Sequence, residues 1–215
     1  MIKIYYAPPS IYGRKVLAVL DEKGLDYEIE ALNFKTKDHQ KPAYLKLNPN
    51  GEIPTLVDDD RIIYESTAII EYLDEEYPFP SLMPKDSYER AKVRMIDDYC
   101  DLHLYRAIVN YLLKVIRKTV PADGEEMKRL EDSLKGFENF IDEEEEYLVG
   151  EFSLADCAAA TALSTIEKFG LSELINKSDK MKRYLARLKL HAAYKGASLF
   201  ELEKTKVEAE KSAKE

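Results

Sequence analysis

Residues 48–66 combine a strand-opening proline with a polar helix start, and both features expose backbone groups that bind ligands. Pro54 follows Ile53 and lacks the amide that a central strand position requires. If the Ile53-Pro54 bond is cis, the carbonyl and amide of Ile53 turn outward. These two groups then pair with an extended peptide, because backbone polar groups need partners. The segment therefore predicts peptide binding.

The helix start lies at Glu65 and Ser66, twelve residues after the Ile53-Pro54 pair. Apolar residues at helical spacing follow in residues 68–73, so we expect Ser66 to cap a helix there. The first amides of a helix have no partner within it, and its N-terminus carries partial positive charge. This second feature predicts a site for a carboxylate.

The elements that must position these residues form a small mixed domain over residues 1–78. Strand patterns at 2–6 and 27–32 flank a helical pattern that ends at Gly24. Two further strands and the helix behind Ser66 follow. The order βαβ then ββα predicts a four-stranded mixed sheet flanked by helices.

The second half of the chain reads as helices alone. Residues 79–86, which include Pro80 and Pro84, form a predicted linker, and residues 87–200 form a predicted all-helical bundle. One long helix is expected from residue 93 to residue 115. The apolar helix that begins at Leu154 is expected to be central, with Ser153 and Asp156 as its capping pair. Residues 201–215 are a charged tail without an assigned function.

Composition narrows the functional classes. The 215 residues carry 41 acidic and 32 basic side chains, which gives a net charge of −9 and disfavours binding to nucleic acid. Cys100 and Cys157 lie far apart in helical patterns, so we expect no disulfide and a reducing compartment. Neither a signal peptide nor a membrane span is evident, and we predict a cytoplasmic protein without a metal site.

The order of these motifs over about 200 residues resembles the glutathione S-transferase superfamily. The resemblance implies an α/β plus all-α fold, with a thioredoxin-like βαβ-ββα domain before the helical bundle. It implies that glutathione is a co-substrate, that Ile53 and Pro54 contact its cysteinyl part, and that Glu65 and Ser66 bind its γ-glutamyl end. The physical character of both features agrees with these roles.

The resemblance places a hydroxyl after the first strand, where Ser10, Tyr12, Tyr5 and Tyr6 are candidates. Ser10 is favoured, because residues 10–16 resemble the serine-type members, while Tyr6 and Tyr12 remain alternatives. A free thiol has a pKa of about 8.5, and its thiolate is the nucleophile. A hydroxyl that donates to sulfur at a helix N-terminus lowers that pKa, and Ser10 would act in this way.

The loop at His39 and Gln40 resembles the segment that holds the glycine carboxylate of glutathione, with Lys41 as a further cation. Glu52 departs from the Gln or Lys of many members, and its charge would repel that carboxylate. The absence of a cysteine between residues 6 and 13 disfavours a mixed-disulfide mechanism. Tyr12, Tyr99, His103 and Tyr105 are candidates for the electrophile pocket, on topology alone.

The resemblance implies a glutathione transferase that acts on a small electrophile, in detoxification, as a homodimer. The alternative is a binding protein without catalysis, because the proline linker and the Asp156-Cys157 pair are similar to the stringent starvation proteins that associate with RNA polymerase. Glutathione-dependent isomerisation or dehalogenation is a third possibility, with the same thiolate and a different second pocket.

Overall fold

The structure, a computed structural model, describes residues 1–116 and 124–199. Strands occur only before the linker within this part of the chain. They are β1 (Ile2–Tyr6), β2 (Tyr27–Ala31), β3 (Thr55–Asp58) and β4 (Arg61–Tyr64). The helices of this half are α1 (Ile11–Glu22), the short α2 (Pro42–Leu45) and α3 (Ser66–Glu76).

The sheet has the strand order β2-β1-β3-β4. β1 and β2 are parallel, while β1 with β3 and β3 with β4 are antiparallel. Ile4 lies opposite Ile29 and Leu56 in the two ladders and is fully buried. The predicted thioredoxin-like domain followed by a helical domain is confirmed.

Helices make up the second half. They are α4 (Ser87–Tyr99), a π-helical turn (Cys100–Tyr105), α5 (Arg106–Ile116), α6 (Glu125–Glu138), α7 (Leu154–Lys168), α8 (Ser172–Asn176), α9 (Asp179–Leu188) and α10 (Ala192–Ala197). The single long helix expected from 93 to 115 is wrong in one respect, because the π turn interrupts it. The domain boundaries stay a prediction, and the tail at 201–215 lies outside the described residues.

Helix α7 is the centre of the helical half, as predicted. Its residues from Leu154 to Ile166 are all buried. The predicted capping pair is confirmed, since the Ser153 amide donates to Asp156 Oδ2 at 2.9 Å and the Ser153 hydroxyl donates to the same oxygen at 2.8 Å. Tyr184 also donates to this carboxylate, at 2.7 Å. A buried carboxylate with several donors stabilises the helix start.

Helix α10 packs on α1 with almost no space between their backbones. A Cβ on Gly196 would lie 2.4 Å from the carbonyl oxygen of Leu17 and 2.7 Å from the amide nitrogen of Ala18. These are backbone atoms of α1, which cannot move aside for a methyl group as a flexible side chain could. The last described helix is thereby fixed to the first one.

We expect Gly196→Ala to lower the free energy of unfolding by about 2 kcal/mol or more, because the added methyl forces α10 away from α1. Thermal denaturation followed by circular dichroism measures this loss. Lys195→Ala, on the exposed side of the same helix, is the matched control and should change stability by about 0.5 kcal/mol or less. Equal stability of the two variants would contradict the close packing.

Candidate functional site

Ser10 lies directly against the Ile53-Pro54 segment. It is the N-cap of α1, where its Oγ accepts from the Gly13 amide at 3.1 Å. The same hydroxyl donates to the carbonyl oxygen of Ile53 at 3.3 Å. That second bond is long, so the hydroxyl proton is weakly held and can turn to another acceptor. The structure thus brings together two residues that the sequence places 43 positions apart.

The Ile53-Pro54 bond is cis, as predicted. The pairing of β1 with β3 ends at Tyr5 and Thr55, so the peptide groups of Ile53 and Pro54 lie beyond the ladder. Asn48 is buried and donates to the Glu52 carbonyl at 3.0 Å. Tyr44 donates to the same carbonyl through its hydroxyl. The backbone before Ile53 is therefore held by side chains and not by the sheet.

The start of α3 differs from the prediction in its cap. Ser66 is the first residue of the helix and not the cap, and Glu65 occupies the cap position without a side-chain bond to the helix. Glu65 has a φ of 70°, a conformation that costs a residue with a side chain about 1–3 kcal/mol. Such strain is concentrated at ligand clamps. The Glu65 carboxylate is exposed beside the amides of the helix start.

The loop at His39 packs against the turn that precedes Ile53. A Cβ on Gly51 would lie 3.0 Å from the His39 carbonyl oxygen, so the two segments touch. The His39 ring packs edge-on against Phe34, and its Nδ1 is buried with no partner among the described residues. Gln40 is exposed. An imidazole nitrogen without a partner is able to donate to a carboxylate.

Lys41 is less suited to this role than the sequence suggested. Its ammonium pairs with Asp38 at 2.6 Å, and hydrogen bonds from Lys41, the Asn33 amide and Thr36 lower the pKa of Asp38 to about 2. The Glu52 side chain is exposed, and only its carbonyl takes part in the turn. The local charge beside His39 is therefore not clearly positive.

Comparison with known proteins agrees with this geometry. Residues 4–81 match the family described as glutathione S-transferase, N-terminal domain. A delta-class glutathione transferase of Nilaparvata lugens is 30% identical, with a TM-score of 0.81 over 93% of this chain and 96% of that one. This chain belongs to the glutathione S-transferase superfamily.

Two further relatives show how function varies at this distance. The stringent starvation protein A homolog of Coxiella burnetii is 29% identical over 94% of this chain and 93% of its own length. A glutathione S-transferase from Rhodospirillum rubrum is 28% identical, with a TM-score of 0.79 over 95% of each chain. Proteins of this fold at about the same identity thus carry different names.

The other hydroxyls considered for the glutathione S-transferase site have partners elsewhere. Tyr6 is fully buried and donates to the carbonyls of Pro8, at 3.2 Å, and Leu199, and burial raises its pKa well above the ordinary value. Tyr12 donates to the Asp101 carbonyl at 3.3 Å, and burial raises its pKa as well. Tyr5 packs on a neighbouring ring. Ser10 remains the best placed group.

Two of the candidates for the electrophile pocket serve the helical half instead. Tyr99 donates to the Ser133 carbonyl at 2.9 Å, and Tyr105 is fully buried and donates to the Ala158 carbonyl at 2.7 Å. His103 is exposed beside Tyr99. Tyr99 ends α4 and the other two lie in the π turn, and helical spacing alone could not tell which neighbour each residue faces.

A buried charge cluster adjoins the start of α3, and sequence reasoning missed it. The Lys15 cluster consists of Lys15, Thr67, Asp97 and Asp101. Lys15 Nζ lies 2.9 Å from Asp97 Oδ1, 2.8 Å from Asp101 Oδ2 and 3.0 Å from Thr67 Oγ1. Thr67 donates to Asp97 Oδ2 at 2.7 Å. The available signal was a lysine within the apolar face of α1 and two aspartates four residues apart.

The Lys15 cluster contains two carboxyl groups and one ammonium group. Burial raises the pKa of Asp101 to about 6, although Lys15 opposes the shift, and Asp97 adds to it. Burial alone would lower the pKa of Lys15, but Asp97 and Asp101 outweigh burial and raise it. Like charges in low dielectric repel, so the second carboxylate is held at a cost.

Because Asp101 binds its proton more tightly in the folded protein than in the unfolded chain, folding stability should fall as pH rises through about 6. The loss should reach at most about 3 kcal/mol between about pH 4 and about pH 7, and Asp101→Asn should remove it. Urea denaturation across this range measures the effect. Asp98→Asn, at an exposed neighbour, should keep the native slope. A slope that survives in Asp101→Asn would assign the titration to another group.

Proposed function

We propose that this protein is a glutathione transferase in which Ser10 stabilises the thiolate of glutathione for attack on a small electrophile. The observation that carries the proposal is the contact of Ser10 Oγ with the Ile53 carbonyl at 3.3 Å. It puts a hydroxyl and the N-terminus of α1 beside a peptide segment that lies outside the ladder. A thiol bound along that segment would lie within reach of both.

Each part of glutathione has a matching group in this arrangement. The backbone of Ile53 pairs with the cysteinyl unit, next to Pro54. The amides at Ser66 receive the γ-glutamyl carboxylate, and the exposed Glu65 carboxylate pairs with the ammonium beside it. The His39 imidazole receives the glycine carboxylate with help from the exposed Gln40. The groups present therefore fit the tripeptide.

The chemistry needs only a modest shift of the thiol pKa. The thiol proton leaves to water, and the Ser10 hydroxyl donates to the sulfur anion. The thiolate then forms a carbon–sulfur bond while the leaving group departs with its electron pair. Each unit by which the thiol pKa falls from about 8.5 corresponds to about 1.4 kcal/mol. One charge-assisted hydrogen bond and a helix N-terminus supply about one to two such units.

The decisive test separates the hydroxyl of Ser10 from its role as a cap. Ser10→Ala removes both, whereas Ser10→Asp keeps an N-cap acceptor but offers no proton and places a negative charge beside the sulfur. We expect both variants to lose about 10- to 100-fold in conjugation of glutathione to an aryl halide. Tyr12→Phe should keep native activity.

Full activity in Ser10→Ala would transfer the role to Tyr12. Calorimetry that detects no glutathione binding at millimolar concentration would overturn the transferase proposal. The second candidate, a binding protein similar to stringent starvation proteins, would then be preferred.

One surface feature supports that second candidate. Phe79 is 85% exposed in the linker. Buried hydrogen bonds fix the linker to the N-terminal domain. Lys23 donates to Asp74 at 2.8 Å and to the Pro80 carbonyl at 2.6 Å. Asp74 also accepts from the Leu82 amide at 2.7 Å. A rigidly presented aromatic side chain suits a protein partner, and association with RNA polymerase would be the corresponding assay.

We also infer that the protein forms a homodimer. Tyr88 and Met95 lie seven residues apart on one face of α4 and are 69% and 51% exposed, and Ile62 is exposed on the edge strand β4. Large apolar side chains that are exposed on a folded protein are typical of an interface. A role in detoxification and a cytoplasmic location stay predictions. Within the described ranges, no helix has the length and apolar character to cross a membrane.

Met95→Glu should convert the dimer into a monomer at micromolar concentration, because a charge would be buried in the interface. Light scattering coupled to gel filtration reads the mass directly. Leu190→Glu changes a residue that is 84% exposed and lies outside this face, so it should leave the dimer intact. A native protein that is monomeric, or dissociation of both variants, would refute this interface.

A further inference from the structure

We propose that the Lys15 cluster is a positioning device, which fixes the helix that carries Ser10 against the helix that begins at Ser66. The distance between Ser10 and Ser66, which lie at the two ends of the proposed glutathione site, would then stay constant. This inference rests on the proposed function and deepens it. None of the four residues of the cluster is placed in contact with glutathione.

The location of the cluster supports this role. Lys15 belongs to the second turn of α1, five residues after Ser10, and its ammonium is fully buried. Thr67 directly follows Ser66 in the first turn of α3. Asp97 comes from the end of α4 and Asp101 from the π turn. One ammonium therefore joins both helix starts to the helical half.

The hydrogen bonds determine how the first turn of α3 is oriented. The Thr67 hydroxyl accepts from Lys15 at 3.0 Å and shares its single proton between Asp97 at 2.7 Å and Asp101 at 3.2 Å. A hydroxyl with both donor and acceptor functions engaged has little freedom to rotate. The side chain of Thr67 thus restricts the backbone beside the Ser66 amide.

The composition of the cluster is poorly suited to stability alone. Well-packed apolar residues of similar volume are often as stable as a buried ion pair or more stable. Here a second carboxylate is also retained, and burial raises the pKa of Asp101 to about 6. The π turn that carries Asp101 is of a kind frequent at functional sites. Directional bonds between three helices give a geometric constraint that apolar contacts would not provide.

The test compares two variants at one position. Thr67→Val keeps the shape but removes the hydroxyl, and Thr67→Ser restores it. We expect Thr67→Val to raise the Kd and the KM for glutathione about tenfold, with the KM for the aryl halide unchanged, and Thr67→Ser to stay near native values. A purely structural role would lower the melting temperature and leave the KM for glutathione unchanged.

A charge-free cluster gives an independent variant. Lys15→Met alone would leave two buried carboxylates without their cation and is expected to unfold the protein. Lys15→Met/Asp97→Asn/Asp101→Asn removes all three charges at similar volume. We expect this triple variant to fold with native or higher stability and still to bind glutathione about tenfold more weakly. Native affinity in a folded triple variant would overturn the proposal.

A readout that does not involve glutathione keeps the two proposals distinguishable. The Ile69 amide donates to the Glu65 carbonyl at 2.9 Å and closes the first turn of α3. Its hydrogen exchange, followed by NMR, should be about tenfold faster in Thr67→Val than in Thr67→Ser. If the native protein binds no glutathione, the proposed function fails and this exchange alone decides the positioning role. Equal exchange in both variants refutes that role.

Discussion

The burial of helix α1 is the constraint on which the rest of the structure depends. The helix lies between the sheet and the helical half, and nine of its residues from Ile11 to Leu20 are buried. Three cations on or directly after it cannot reach bulk water, so each requires a partner inside the protein. Arg14 donates to the Ala197 carbonyl, Lys15 joins the two aspartates, and Lys23 pairs with Asp74.

These pairings connect the fold to the site. Arg14 and Gly196 fix α10 on one side of α1, and Lys23 fixes the linker at its end. Lys15 faces the start of α3. The N-terminus of α1 is consequently held from several directions, and Ser10 is placed on a rigid element. Precise placement of this kind is what a hydroxyl needs to stabilise a developing thiolate.

Local signals in the sequence predicted much of this arrangement. The cis bond before Pro54 and the capping pair of Ser153 and Asp156 follow from neighbouring residues, and both are confirmed. The cap at Glu65 was assigned to Ser66, because a positive φ on a glutamate goes against residue preference and is imposed by the surroundings. The Lys15 cluster was missed, since a lysine between apolar residues reads as a surface charge until its partners, more than 50 positions away, are known.

In the proposed site, one set of groups binds glutathione and another activates its thiol, and this separation would allow members of the superfamily to keep the fold without the activity. Binding in the proposed site would rely mainly on backbone groups at Ile53 and at the start of α3, and a backbone tolerates many side chains. Thiol activation, by the same proposal, would rely on the Ser10 hydroxyl alone. Relatives can therefore keep the shape of the site and lose its chemistry, or the reverse. The charge beside His39 also matters for the proposal. Because Lys41 is engaged by Asp38 and Glu52 is exposed, affinity for the glycine carboxylate would depend on the imidazole more than on net positive charge.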